Sequence, residues 1–452
     1  MAAGQGTRMR SALPKVAHPV CGRPMVAWSV LAAREAGAGR VCAIVSPDRD
    51  ISPYLPEGTE TVEQPVANGT GGALLAALPA LEGDGTVVVL SGDQPLVSAE
   101  EIAGLLAAHQ EAGAAATLMT ATLDEPAAYG RVVRDEGGAV ERVVEARNPG
   151  DASEAELAID EVNAGTYAFE VAPLAEALGR LSTDNSQGEL LLPDVLPLLR
   201  EAGHTVAAFE TGAVAIGVND RRELALVEGQ ARAMVLDRLM TSGVTVVDPS
   251  ATWIEADVEI AAEVRIEPGC QLRGRTRIGT GSVVGPHSTL VDAEVGERSE
   301  VISSHLVDCS VGDEVSVGPF AHLRPGTVLG DGSKAGSFVE IKNSQVGGGA
   351  KVPHLSYVGD AEVGEGSNLG ASTITANYDG HEKHRTRIGR NVRTGVDTTL
   401  VAPVEVGEGA YTGAGSVITE DVPEGALGIE RSRQENVEGY ARRKEAEEDE
   451  GK

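Results

Sequence analysis

The first residues able to do chemistry stand at the start of the chain, in Gly4-Gln5-Gly6-Thr7-Arg8, with Lys15 close behind. A glycine-rich turn bares backbone amides, and two nearby fixed cations complete a pattern that can cradle phosphate where such a turn joins a strand to a helix. The same residues also make an ordinary tight bend, and spacing alone leaves both readings open. Asp93 ends "GTVVVLSGD" (85–93), a short apolar run that reads as a buried strand. A carboxylate just past a strand's carboxyl end faces the crevice where open α/β sheets take ligands, unless it merely closes a turn. Much later, "TANYDGHEKHRTR" (375–387) interrupts a regular pattern with polar residues and predicts a loop extruded for binding.

These groups sit on two different textures. Over residues 1–221, "RVCAIVSP" (40–47) and "GTVVVLSGD" read as strands, while "GGALLAALPAL" (71–81) and "SAEEIAGLLAAHQEAG" (98–113) read as helices. Ser98 with Glu101 three residues on forms a capping-box signature. The alternation predicts an α/β, Rossmann-like domain with a mostly parallel sheet. Residues 222–243 read as a connecting helix, with Leu224, Val227, Ala231, Met234 and Leu239 on one face and Gly243 as its stop. From Ile254, apolar residues recur every six positions through Ile260, Ile266, Leu272, Ile278, Val284 and Leu290. The period returns at Val311–Leu329, Val346–Val358 and Ile388–Ile418, with Thr394 and Thr412 in two of its places. A strict period of six predicts a parallel β-helix over 244–431, one inward residue per side. Residues 432–452 are charge-rich and read as a frayed tail.

The chain has 452 residues and a formal net charge of −31. Such acidity argues against nucleic acid, whose binding needs a basic surface. No apolar run reaches membrane-spanning length and no signal peptide is seen, so no membrane is expected and a cytoplasmic location is. Cys21, Cys42, Cys270 and Cys309 lie far apart with no CxxC pair, which suggests neither a disulfide framework nor a zinc site. A zinc site from His305, His322 and His354 is disfavoured, because their spacings do not bring all three to one height of an 18-residue coil.

The order of motifs resembles one family along nearly the whole chain. "AAGQGTRM…PK", "NGTGGA", "SGDQPL", "YGRVVR", "EVNAGTYAF" and "GVND" are similar to the sugar-nucleotide pyrophosphorylases. "LRPG", "FVEIKNS", "VPHLSYVGDA", "SNLGAST", "NYDG" and "LVAPVEVGEGAYTGAG" narrow the resemblance to bifunctional N-acetylglucosamine-1-phosphate uridylyltransferase / glucosamine-1-phosphate N-acetyltransferases. The resemblance implies a left-handed β-helix, a homotrimer, and the substrates UTP, acetyl-coenzyme A (acetyl-CoA), glucosamine 1-phosphate and N-acetylglucosamine 1-phosphate. It implies Mg²⁺ held by Asp93 and Asn219, and a UTP and UDP-sugar site from Ala3, Gly4, Gly6, Arg8, Lys15, Gln64, Gly69, Thr70, Gly92, Gly130, Glu145 and Asn163. In the β-helix it implies His354 as general base, and Arg324, Lys342, Tyr357 and Asn368 around glucosamine phosphate. Acetyl-CoA would meet Ala371, Asn377, Tyr378, Lys383, Val396, Ala414 and Arg431. Val396 departs from the family's usual serine, and Tyr440 from a common tryptophan. The family's apolar strand before Leu-Ala-Ala-Gly has no counterpart ahead of Met1. We therefore expect the native chain to begin upstream, or else the uridylyl half to be impaired.

Overall fold

The computed structural model describes residues 1–4, 6–81, 85–146, 150–185, 187–212 and 214–450. Gln5 of the glycine turn and the last two residues of the charged tail lie outside them. The chain divides into two units, Met1–Met234 and Val235–Lys452.

The first unit is built on α1 (Met25–Glu35), β1 (Cys42–Val45), β2 (Glu60–Glu63), α2 (Thr70–Ala77), β3 (Thr86–Val89), α3 (Ala99–Glu111) and β4 (Ala116–Thr122). It continues through β5 (Arg131–Arg134), β6 (Val140–Val144), β7 (Glu161–Glu170), α4 (Val171–Leu178), α5 (Val195–Glu201) and β8 (Val206–Glu210). The capping box at Ser98 is fully formed, with Ser98 and Glu101 each bonding the other's backbone amide. Each box of this kind stabilises its helix by about 1 kcal/mol. The sheet is mixed: β8 runs parallel to β4, but β7 runs antiparallel to β3, β4 and β5. The mostly parallel expectation is corrected here, because β5–β6 is a hairpin that turns the chain before the long β7 strand. β1 and β2 pair in parallel by themselves. Met1 and Ala2 lie between β1 and β3: Ala2 N donates to Ile44 O, the Met1 ammonium to Leu90 O, and Gly92 N to Met1 O. Beside them, Val30, Ile44, Leu74, Val89 and Ile102 help line an apolar cavity of about 670 Å³. The main core packs α2, α4 and α5 on the sheet through Leu118, Phe169, Leu174, Leu178, Leu196 and Leu199. Burial of a side chain of this size contributes roughly 1.5–3 kcal/mol.

α6 (Arg221–Thr241) crosses the boundary between units. Val227, Ala231, Val235, Leu236 and Leu239 are its buried face, whereas Met234, expected among them, is exposed. Gly243, at φ +98°, lets the chain reverse after it.

The second unit is a β-helix of three parallel faces, with seven strands on the first, ten on the second and nine on the third among the described residues. The hexad residues stack inward: Ile254, Leu272, Leu290, Leu306, Leu323, Ile341 and Val358 form one buried ladder. Leu290 pairs with Leu306 and Leu306 with Leu323, so the coil shortens from 18 residues to 16 and 17 there. Shortened corners leave backbone amides without the regular partner, and buried serines supply it. Ser299 N donates to Ser282 Oγ and Val315 N to Ser299 Oγ, at 2.9 Å each. The tail is not frayed as expected: α7 (Tyr440–Glu450) is helical and lies open to solvent.

Candidate active sites

In the first unit, the glycine turn, β3 and the segment before α6 converge. Lys15 forms an ion pair with Asp93, and Arg8 donates to Asn219 Oδ1 at 2.9 Å. Val218 N donates to Asp93 O at 2.8 Å, which sets Asn219 beside the aspartate. Gly6 is required as glycine: its φ is +60°, and an added Cβ would lie 2.5 Å from Lys15 Cβ. Gly4 is exposed, with open space where a side chain would stand, and Gly92 packs against Met1 O. Two oxygen donors, Asp93 and Asn219, fit a hard cation that takes its other ligands from phosphate and water.

The loop before α2 is held by its own polar groups. Gln64 is buried and donates to Asn68 Oδ1 and Gly69 O, while Thr70 Oγ accepts from Leu192 N. Gly69 has φ +100°, and a Cβ there would strike Leu190 O at 2.5 Å. A separate wall gathers Gly130, Glu145 and Asn163: Asn163 N donates to Gly130 O, and Asn163 Nδ2 to the Tyr167 hydroxyl at 2.6 Å. Burial pushes that phenol up out of its usual range, with Glu145 adding to the effect, so Tyr167 stays neutral. Tyr167 escaped sequence reasoning, since an aromatic in a strand reads as core.

In the β-helix, the candidates fall into two adjoining sets. The first climbs one corner: Ser372 N donates to His354 O, Asp397 N to Ala371 O, Gly415 N to Val396 O, and Arg431 Nη1 to Ala414 O. His354, Ala371, Val396, Ala414 and Arg431 therefore stack on successive coils. Val396 is half exposed. The second set lies across that corner on the second face. Arg324 donates to Glu340 Oε1 at 2.7 Å, Tyr357 pairs in register with Glu340, and Lys342 with Gly359. Asn368 stands apart from this set, bridged to Lys351 and Arg393 on the first face.

The loop expected over 375–387 is present as a short hairpin, with Tyr378 bridged to Lys383 and Asp379 N donating to Glu382 O. Lys383, expected at acetyl-CoA, lies against Lys342, whose ammonium lowers the Lys383 pKa. Asp360 completes the cluster. It accepts from Asn343 and Asn377 at 2.5 Å each, and its Oδ2 is 3.9 Å from Lys342 Nζ. Burial alone would raise its pKa, but the two amides and the charges of Lys342 and Lys383 bring it below the usual carboxylate value. Gly359 leaves the room this cluster needs: a Cβ there would lie 2.4 Å from Tyr357 Oη and 2.8 Å from Asn377 Nδ2. Neither Asp360 nor Gly359 was singled out, because Gly-Asp reads as a surface turn. His305 and His322 meet edge to face on the second face with ring centroids 5.2 Å apart, whereas His354 ends a strand of the first.

Residues 1–155 match the MobA-like NTP transferase domain. The chain is 48% identical to the "Bifunctional protein GlmU" of Streptomyces avermitilis over 98% of its own length and 93% of that protein's. It is 47% identical to the Mycobacterium bovis protein of the same name, covering 98% and 92%, and 49% identical to that of Kineococcus radiotolerans, covering 97% and 90%. A transferase domain of that kind followed by a hexad β-helix, with this identity over nearly all of both chains, places the protein in the bifunctional GlmU family, whose two activities are uridylyl transfer and acetyl transfer.

Proposed function

We propose that the β-helix unit acetylates glucosamine 1-phosphate from acetyl-CoA, and that the α/β unit then joins N-acetylglucosamine 1-phosphate to UTP with release of pyrophosphate. The product, UDP-N-acetylglucosamine, would serve bacterial cell-wall synthesis in the cytoplasm. The observation that carries the reading is the convergence of Lys342, Lys383 and Arg324 one corner away from His354. Asp360 offsets only part of the positive charge gathered here, and a sugar phosphate would balance the rest.

For acetyl transfer the sugar amine must be neutral to attack the thioester, so His354 takes its proton as general base. Arg324, Lys342 and Lys383 hold the phosphate, Tyr357 flanks the sugar, and the Ala371–Val396–Ala414–Arg431 corner lies along acetyl-CoA. A second subunit completes the site. Phe320, Phe338 and Leu355 are more than half exposed on the same corner as His354, and the two phenyl rings stack at 5.2 Å. Such an apolar column calls for a partner surface, and a homotrimer through the β-helix covers it.

For uridylyl transfer, the amides of Ala3, Gly4 and Gly6 with Arg8 and Lys15 neutralise the triphosphate. Asp93 and Asn219 would hold Mg²⁺, which supplies further charge neutralisation at the phosphates. Gln64, Gly69 and Thr70 shape the uracil side. Gly130, Glu145 and Asn163 form the wall for N-acetylglucosamine. Arg8 and Lys15 orient the phosphates, and no covalent enzyme intermediate is needed.

The test reads thiol release and pyrophosphate release separately on one preparation. Thiol release from acetyl-CoA that requires glucosamine 1-phosphate, and pyrophosphate release that requires N-acetylglucosamine 1-phosphate, support the reading. Absence of the first would leave a nucleotidyltransferase whose β-helix only assembles subunits; absence of the second would leave an acetyltransferase alone.

A further inference from the structure

We propose that Asp360 is a positioning residue for acetyl transfer, clamping the neck of the 377–385 loop while fixing Lys342. The inference rests on the reading of Lys342 as a phosphate-binding group.

Asp360 meets both ends of the loop and the coil beneath it. Its Oδ2 accepts from Asn377, where the loop leaves the β-helix, and its carbonyl accepts from Thr386 N, where the loop returns. Its Oδ1 accepts from Asn343, and its own amide donates to Lys342 O. The residue is 7% exposed. A buried carboxylate is retained only with strong partners. Here those partners are two amides and the ammonium groups of Lys342 and Lys383, residues of the sugar-phosphate site and of the extruded loop. One negative charge thus holds together two lysines that would otherwise repel. It also ties the geometry of the phosphate subsite to that of the loop bearing Tyr378 and Lys383.

Asp360→Asn tests the clamp, because it keeps the shape but presents an NH₂ group where two NH₂ donors already point. The expected result is a rise of about tenfold or more in KM for glucosamine 1-phosphate, with a parallel rise for acetyl-CoA. Pyrophosphate release should stay close to the unmodified protein's. Trypsin should also cut faster after Lys383 and Arg385. Removing Lys383 charge in the variant, as Asp360→Asn/Lys383→Met, should cost less than Lys383→Met alone, since the repulsion is then relieved. Unchanged KM values and unchanged cleavage would overturn the proposal. So would a loss confined to kcat with a lowered melting temperature, which is what a merely structural carboxylate gives. If the unmodified protein releases no thiol, the functional reading fails instead, and faster cleavage at the loop neck still reports on the clamp.

Discussion

Gly359→Ala should cripple acetyl transfer and spare uridylyl transfer. The new methyl would stand 2.4 Å from Tyr357 Oη, 2.7 Å from its Cζ and 2.8 Å from Asn377 Nδ2. Ordinary contact begins near 3.4 Å, so about 1 Å of overlap must be relieved. Asn377 is 8% exposed and bonded to Asp360, so it cannot yield cheaply. Tyr357 is only partly buried, and its ring must move. Overpacking of this kind costs roughly 1–3 kcal/mol, with the lower end expected because the phenol has space to turn. Displacing a substrate-facing group by about 1 Å can cost up to about 100-fold in rate. We therefore expect kcat/KM for glucosamine 1-phosphate, followed by thiol release, to fall between about tenfold and 100-fold. Pyrophosphate release serves as the internal control and should not change. Tyr357→Ala/Gly359→Ala should be no worse than Tyr357→Ala alone, because the clash and the lost ring are one event. A kcat/KM within twofold of the parent would show that Gly359 is not what makes room for Tyr357.

Lys15→Met leaves Asp93 without its ion-pair partner and removes a cation from the phosphates; pyrophosphate release should drop by about 100-fold or more while thiol release holds. Asp379→Ala removes the acceptor for the amides of His381 and Glu382 and for the His384 ring, so KM for acetyl-CoA should rise several-fold. The Glu382 amide foremost, then His384 and the His381 amide, hold the Asp379 carboxyl well below the usual carboxylate range. The closure it provides is therefore complete above about pH 4 and lost as acid is added below that, so the difference between the two proteins should close only there. Cys309 is buried beside Asp308, and its thiol is pushed up to about 12, burial being the larger cause. A disulfide reagent at pH 8 should label the half-buried Cys42 first and reach Cys309 only on unfolding.

The inward ladder of the β-helix was legible because each hexad sends one apolar residue to the core, and Ile254 through Leu290 keep that beat. The corners were less so. Between Leu290 and Leu323 the coil loses one or two residues, and counting by 18 no longer says which turn residues stack. Phe320 and Phe338 keep the 18-residue count, but Leu355 follows after only 17, so counting does not place it in their column. In the α/β unit, nothing in Glu161–Glu170 encodes the direction in which β7 pairs. Lys383 was visible as a loop lysine, yet its place beside Lys342 depends on the loop folding back over Asp360. Asp360 itself looks like any polar turn residue until Asn343 and Asn377 are brought to it from coils above and below.

The division of labour between the two units is tested most directly by His354→Ala, with thiol and pyrophosphate release read on the same preparation. Thiol release should fall by at least about 100-fold, the usual worth of a general base, while pyrophosphate release from UTP and N-acetylglucosamine 1-phosphate stays unchanged. Thiol release at the parent's rate would contradict it, since no histidine base at that corner would then be needed.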